Sequence, residues 1–202
     1  MAKASWLTVS PMSGSGNESL NNSAQEHTGR ESRETTVTGT ATGVETPDTY
    51  QVEQAGKAEF IQFNDGAEMA AQKDGGEVTV TGKSNSAKLS FSQVGGSGEL
   101  DIAENYTAGG KSTANGQAIA GDPGASAEYE FSVKVTLPEN GTIEEREFTL
   151  QVNNGGSISK QIVIKQAAGD AYFRFAKESI TIPQAGGNVS VNIESNTTWN
   201  IS

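Results

Sequence analysis

The chain holds a single histidine, His27, and no cysteine. Any Ser-His-Asp or Cys-His catalytic arrangement would therefore have to be built on that one imidazole. His27 stands in the polar run Gln25-Glu26-His27-Thr28-Gly29, with no recognisable nucleophile motif, and it reads as a solvated loop residue. Asp65, Asp74, Asp101, Glu104, Asn105 and Asp122 carry the oxygen ligands that calcium needs, but their spacing matches no EF-hand loop. Glu144-Glu145 would serve glycoside hydrolysis only with two carboxyl groups roughly 5–10 Å apart in a cleft. They read instead as solvated strand faces, which also hinder edge-to-edge aggregation. Gly109-Gly110-Lys111-Ser112 looks like part of a phosphate loop but lacks the full spacing and the strand–loop–helix context. No catalytic residue, metal ligand or cofactor is assigned.

Two residues are candidates for ligand binding. Trp6 and Trp199 are the only tryptophans, and exposed indoles stack on sugar rings. The competing reading, a core tryptophan inside a sandwich, has its own precedent and is preferred. With two Trp and four Tyr in all, no aromatic sugar platform is evident.

The elements that would position these residues are strands. Tyr129, Phe131, Val133, Val135 and Leu137 alternate with polar residues over nine positions, which turns one apolar face inward. Shorter runs of the same kind are Ser5–Pro11, Arg33–Thr38, Tyr50–Gln54, Phe60–Phe63, Gly75–Thr81, Leu89–Ser92, Leu100–Ile102, Phe148–Val152 and Ile158–Gln166. Pro138-Glu139-Asn140-Gly141 predicts a hairpin turn leading into the return strand, because Asn-Gly tolerates positive φ. Asn153-Asn154-Gly155-Gly156 predicts another. Glu18–Glu31 has little apolar periodicity and is expected to be loop-like, and 103–127, rich in Gly, Ala and Ser, reads as an inserted surface loop.

A repeat divides the chain. Gln54-Ala55-Gly56 returns as Gln166-Ala167-Ala168-Gly169, and Ile61-Gln62-Phe63 returns as Phe173-Arg174-Phe175. Gly75-Gly76-Glu77-Val78-Thr79-Val80 returns as Gly186-Gly187-Asn188-Val189-Ser190-Val191, and Ser84-Asn85 returns as Ser195-Asn196. Arg33-Glu34-Thr35-Thr36-Val37 matches Arg146-Glu147-Phe148-Thr149-Leu150, at nearly the same interval as the other pairs. The expected organisation is a partial unit over 1–56, a complete unit over 57–169 and the start of a third over 170–202. The first has too few strands and too few apolar residues for a sandwich of its own. Strand edges left open in such part-units would be covered either by chain continuing past Ser202, the favoured alternative, or by strand pairing between subunits.

Composition bounds the class. Hydrophobic residues make up 34% of the chain and glycine occurs 24 times, against about 45–50% apolar in ordinary globular chains on a count that includes Gly. Thin alternating strands separated by Gly, Asn and Ser turns suit an all-β fold, since each strand buries only one face. The net charge of −11, with no Lys/Arg cluster, disfavours a grip on nucleic acid or anionic lipid. No stretch approaches membrane-spanning length, and Met1–Trp6 is followed by no apolar run of signal-peptide length. If Met1 is the natural start, ordinary export is not expected, and without cysteine a lipid-anchored surface lipoprotein is excluded for the chain as given.

Trp6, Ser13-Gly14, Arg33, Thr35–Thr38 and Gln54-Ala55-Gly56 in the first unit, with Gly186-Gly187, Ser195-Asn196 and Trp199 in the third, resemble the BACON family. The middle unit departs from the pattern, with Lys88-Leu89 where the tryptophan would stand and a long insertion. The resemblance implies tandem immunoglobulin-like β-sandwich units, the first and last incomplete. It also implies a carbohydrate-related setting in Bacteroidetes surface proteins, or a place in the virions of phages that infect them, crAss-like phages included. The missing export signal favours the virion: a non-enzymatic head-fibre, decoration or tail protein, homo-oligomeric, with virion proteins such as the major capsid protein as partners and glycan as a further one. The alternative is a carbohydrate-binding module at the bacterial surface.

Overall fold

In the computed structural model, which describes residues 3–202, the chain is built almost wholly of strands. The first segment carries β1 (Leu7–Ser10), β2 (Asn21–Ala24), β3 (Arg33–Gly39) and β4 (Asp48–Gln54). These form two antiparallel ladders, β1 on β2 and β3 on β4. Bonds between the ladders join them: the Tyr50 hydroxyl donates to Asn22 Oδ1 at 2.9 Å, and the Ala4 N–H donates to Thr35 Oγ1 at 2.8 Å. Leu7 and Val9, alternate residues on β1, are buried.

The middle of the chain supplies β5 (Ile61–Phe63), β6 (Glu68–Ala71), β7 (Gly76–Ser84), β8 (Ser90–Gly96), β9 (Asp101–Ala108) and β10 (Lys111–Ala114). After a single helical turn, α1 (Pro123–Ser126), come β11 (Tyr129–Leu137), β12 (Arg146–Asn153) and β13 (Ser159–Gln166). They make a five-stranded sheet in the order β10-β9-β11-β7-β5 and a four-stranded sheet in the order β6-β13-β12-β8. Strand β11 is the spine of the first, pairing with β7 from Tyr129↔Ser84 to Leu137↔Gly76 and with β9 on its other side. Its five apolar side chains are all buried, as their alternation requires.

The two inner faces meet in one apolar core. Phe131 of β11 packs against Phe63 of β5 at 6.1 Å between ring centroids and against Phe91 of β8 at 5.7 Å. Phe148, Leu150, Val152, Ile162 and Ile164 close it from the second sheet. One glycine is dictated by this packing: a Cβ on Gly82 would lie 2.4 Å from the Phe131 ring and 2.3 Å from the Gln62 carbonyl.

Three sequence expectations are corrected. The stretch 103–127 is not a free surface loop, because β9 and β10 add two strands to the five-stranded sheet and bury Tyr106, Ala108 and Thr113. Its Gly109-Gly110 pair is the hairpin turn, both residues at positive φ (55° and 79°), and not phosphate-binding chemistry. Second, Asn140-Gly141 is no hairpin turn: β11 and β12 lie in different sheets, and Gly141 is not among the positive-φ glycines. The buried Asn140 instead braces a sheet-crossing connection, donating to the carbonyls of Glu144 (2.8 Å) and Ala167 (2.9 Å). Third, Glu18–Glu31 contains β2 and a buried histidine.

The last segment forms only β14 (Phe173–Phe175) paired with β15 (Ile193–Ser195). Gly186–Val191 reads like the start of β7 but is not a strand. In the middle of the chain β11 supplies the ladder for that stretch; among the described residues nothing does so here. The turn at Asn154-Gly155 stands as expected, joining β12 to β13 with Gly155 at φ 79°.

Candidate functional site

The two tryptophans lie in different segments and different environments. Trp6 is half-buried, and the Arg33 guanidinium covers one face of its ring at 4.7 Å. A sugar cannot stack on that face while the cation holds it. Trp199 is 49% exposed and stands 6.2 Å from Phe173, which in turn meets Phe175 edge-on at 5.2 Å.

His27 is not a solvated loop residue: it is only 8% exposed, and its Nε2 lies 2.7 Å from the Glu31 carbonyl. A carbonyl only accepts, so this ring nitrogen carries the hydrogen. One repeat further on, the same position is held by Asn140, which spans to the Glu144 carbonyl. The polar flanks of His27 hide this role, because a residue that braces a loop needs polar partners and not apolar neighbours.

The oxygen ligands do not converge: among the described residues no three His, Cys, Asp or Glu side chains are grouped to hold a metal ion. Asp122 is taken by Arg30, whose NH1 donates to Oδ1 at 2.7 Å while NH2 meets Oδ2. That hydrogen-bonded pairing holds the Asp122 carboxyl below the usual carboxylate range and raises Arg30 above its ordinary value. Glu144 and Glu145 are exposed on the connection before β12. A cavity of about 440 Å³ opens between the ladders of the first segment, lined by Val9, Pro11, Met12, Leu20, Val37 and Tyr50 among others.

The residues that mark the repeat do structural chemistry, and they do it twice. Gln166 is buried; its Oε1 accepts from Arg146 NH2 at 2.8 Å, and its Nε2 donates to the carbonyls of Pro138 (2.9 Å), Gln72 (3.1 Å) and Lys73 (3.3 Å). Gln54 repeats the bridge, accepting from Arg33 Nε and NH2 at 3.0 and 2.8 Å and donating to the Gln25 carbonyl at 2.8 Å. Gln25 corresponds to Pro138 at the same interval that relates Arg33 to Arg146.

The joints between segments are also duplicated. At the first, Asn85 Nδ2 donates to the carbonyls of Thr28 (3.3 Å) and Lys57 (3.2 Å), and its Oδ1 accepts from the Phe60 N–H at 2.9 Å. Ser84 Oγ donates to the Phe60 carbonyl at 2.8 Å. At the second, Asn196 Nδ2 donates to Gly141 (3.0 Å) and Asp170 (2.8 Å), and its Oδ1 accepts from the Tyr172 N–H at 2.9 Å. Ser195 Oγ donates to the Tyr172 carbonyl at 2.9 Å. The Ser-Asn dipeptide, visible in the sequence only as a repeated pair, is thus the knot at each joint.

Among the described residues no helix is long and apolar enough to cross a membrane. No curated protein matches the chain. Among solved structures, a Bacteroides ovatus GH5 xyloglucanase in complex with a XXXG heptasaccharide is similar at 16% identity over 63% of this chain and 22% of its own, with a TM-score of 0.33. A protein from Bacteroides thetaiotaomicron solved by NMR is similar at 18% identity over 54% of this chain and 84% of its own, TM-score 0.28. Domains 4–9 of the surface layer protein SbsC align at 12% identity over 81% of this chain and 24% of theirs, TM-score 0.39. The chain spans about a fifth of the xyloglucanase and a quarter of the surface layer protein. The family model of the viral BACON domain matches residues 1–57, the segment whose Trp6, Arg33 and Gln54-Ala55-Gly56 carry that resemblance in the sequence.

Proposed function

We propose that the protein is a non-enzymatic structural protein of a bacteriophage virion, serving as spacer and attachment element in a head fibre, capsid decoration or tail. The observation that carries this reading is the viral BACON match over residues 1–57. The side chains that repeat along the chain support it, because Arg33, Gln54, Asn85, Arg146, Gln166 and Asn196 are engaged by backbone carbonyls and by one another. Side chains so engaged serve shape. The host would be a Bacteroidetes species and the phage crAss-like; virion proteins such as the major capsid protein would be the partners, with the protein itself homo-oligomeric. Mass spectrometry and immunogold labelling of purified particles test this, and a protein absent from particles but present in infected cells refutes it.

A glycan-binding module is the second reading, favoured by the exposed aromatic group Phe173, Phe175 and Trp199. Its test is a glycan array on which binding is lost with Trp199→Ala. Binding lost equally with Trp6→Ala would count against the Trp199 group as the platform, because Arg33 already covers Trp6.

A further inference from the structure

Linkers rich in glycine and serine behave as flexible tethers, but the short Gln-Ala-Gly-Lys-Ala and Gln-Ala-Ala-Gly-Asp linkers here have no slack. The Lys57 N–H donates to the Gly29 carbonyl at 2.7 Å, and the Gly169 N–H to the Thr142 carbonyl at 2.7 Å. A Cβ on Gly56 would lie 2.1 Å from the Arg30 carbonyl, and one on Gly169 would lie 2.3 Å from the Asn140 carbonyl. Each linker is therefore pressed onto a connection of the segment before it, β2–β3 at the first joint and β11–β12 at the second. The asparagine of the next segment then ties linker, connection and its own first strand together through one amide. An amide so placed satisfies its donors only at one arrangement of the three parts, and at the first joint, where Asn85 is fully buried, leaving it unsatisfied is costly; Asn196 is half-buried, so the second joint is the weaker of the two.

We infer that the end of each segment is a docking surface, that its partner is the Ser-Asn turn of the segment that follows, and that the two joints hold their segments at a fixed angle. The equivalence of the bonds supports this directly. Thr28 and Lys57 at the first joint correspond to Gly141 and Asp170 at the second, both pairs displaced by the same interval along the chain. Two sequences with different side chains at these positions converge on the same carbonyls because only the backbone is read. The geometry is thus carried by the Asn and the glycine, and a further segment bearing Ser-Asn at the end of the strand that pairs with its first strand fits the same surface.

The first joint has a second lock. The Arg30 N–H donates to the Gly124 carbonyl at 2.9 Å and the Glu31 N–H to the Ala125 carbonyl at 3.1 Å, so α1 is laid against the first segment. The Arg30 side chain reaches the Asn85 carbonyl at 3.0 Å as well as Asp122. Gly29 and Gly124 permit the approach, since a Cβ on Gly124 would lie 2.2 Å from the Asn85 carbonyl. How the segments are held does not depend on whether the protein is found on virions.

Because the chain lacks cysteine, introduced cysteines give clean spin-label pairs in the whole protein. Thr49→Cys with Lys134→Cys spans the first joint, Lys134→Cys with Glu178→Cys spans the second, and Lys134→Cys with Gln161→Cys lies inside the sandwich; all four sites are exposed. Pulsed dipolar spectroscopy is expected to give one narrow distance peak for each pair. Asn85→Ala should abolish the narrow peak across the first joint only, and Asn196→Ala across the second only, with the inner pair unchanged. Broad cross-joint distributions in the parent, or narrow ones retained in both asparagine variants, overturn the inference. Should Asn85→Ala also lose the inner peak, Arg30→Ala takes its place. It keeps every Asn85 side-chain bond, and it is expected to broaden the first joint alone; no change in that pair refutes the second lock.

Discussion

Replacing Gln166 by alanine tests most directly whether the repeat marker is structural. The side chain is buried and makes a charge-assisted bond to Arg146 together with three bonds to backbone carbonyls. Those carbonyls keep other donors: Gln72 has the Gly75 N–H, Lys73 the Asn140 N–H, and Pro138 has Arg146. The loss is therefore the bonds themselves and the volume, not orphaned acceptors. A bond to a charged group contributes about 1.5–3 kcal/mol and the weaker neutral ones about 0.5 each, so Gln166→Ala should cost about 3 kcal/mol. Arg146 NH2 keeps the carbonyls of Pro138 and Glu139, while its Nε is buried without a partner. For a domain of this size that loss lowers Tm by roughly 12–24 °C. Gln54→Ala removes the same bridge at a half-exposed site with one carbonyl bond and should cost only about 1 kcal/mol. Urea denaturation separates the two, because both tryptophans lie outside the sandwich strands. In a Trp199→Phe background, far-UV circular dichroism follows mainly the sandwich and the remaining emission, that of Trp6, follows the first segment. Equal costs for the two variants, or a cost for Gln166→Ala below about 1 kcal/mol, would refute the reasoning.

The phenols of Tyr106 and Tyr129 are both raised above the ordinary tyrosine value by burial. The neutral forms are thus the ones the fold favours, and the stability they contribute is complete below pH about 10 and lost as pH rises further. Absorbance at 295 nm should show these two phenols ionising together with the loss of circular dichroism; ionisation with the fold intact would contradict their burial. Gly82→Ala drives a methyl into the Phe131 ring and the Gln62 carbonyl, and overpacking of that kind should cost about 2–3 kcal/mol in urea unfolding. His27→Asn places in the first segment the side chain that braces the equivalent connection at Asn140. It should leave the Trp6-monitored transition unchanged, whereas His27→Ala should lower it by about 1 kcal/mol. Equal losses in both variants would show that the imidazole acts through its bulk.

Strand β11 is legible in the sequence because its apolar residues alternate without a break and all five are buried. The repeat is equally legible, and it locates Gln54, Gln166, Ser84-Asn85 and Ser195-Asn196 without revealing what they bind. Their bonds run to backbone carbonyls far along the chain, such as Gln166 to Gln72, and a carbonyl leaves no trace in side-chain identity. Asn140-Gly141 misleads because Asn-Gly is a local turn signal, while here the asparagine amide is used across the sheet crossing to Ala167. Strand β9 escapes notice beyond Ile102 because Glu104 and Asn105 interrupt the alternation before Tyr106 and Ala108 resume it. At Gly186–Val191 the pattern of a strand is present without the strand, since alternation prepares a ladder that only a partner completes. Of the two tryptophans, spacing alone does not separate one covered by Arg33 from one half open to solvent.

The parallel pairing of β6 with β13, from Val163↔Glu68 to Gln166↔Ala71, bears on how the chain answers to pulling. Traction on the two linkers draws the N-terminal end of β6 one way and the C-terminal end of β13 the other. The ladder of β5 with β7 is only three residue pairs long, so once it yields the load falls on β6 and β13. Two parallel strands drawn from opposite ends slide past each other, and their hydrogen bonds are strained together instead of parting one by one like a zip. The sandwich is accordingly built to resist traction applied through its two linkers.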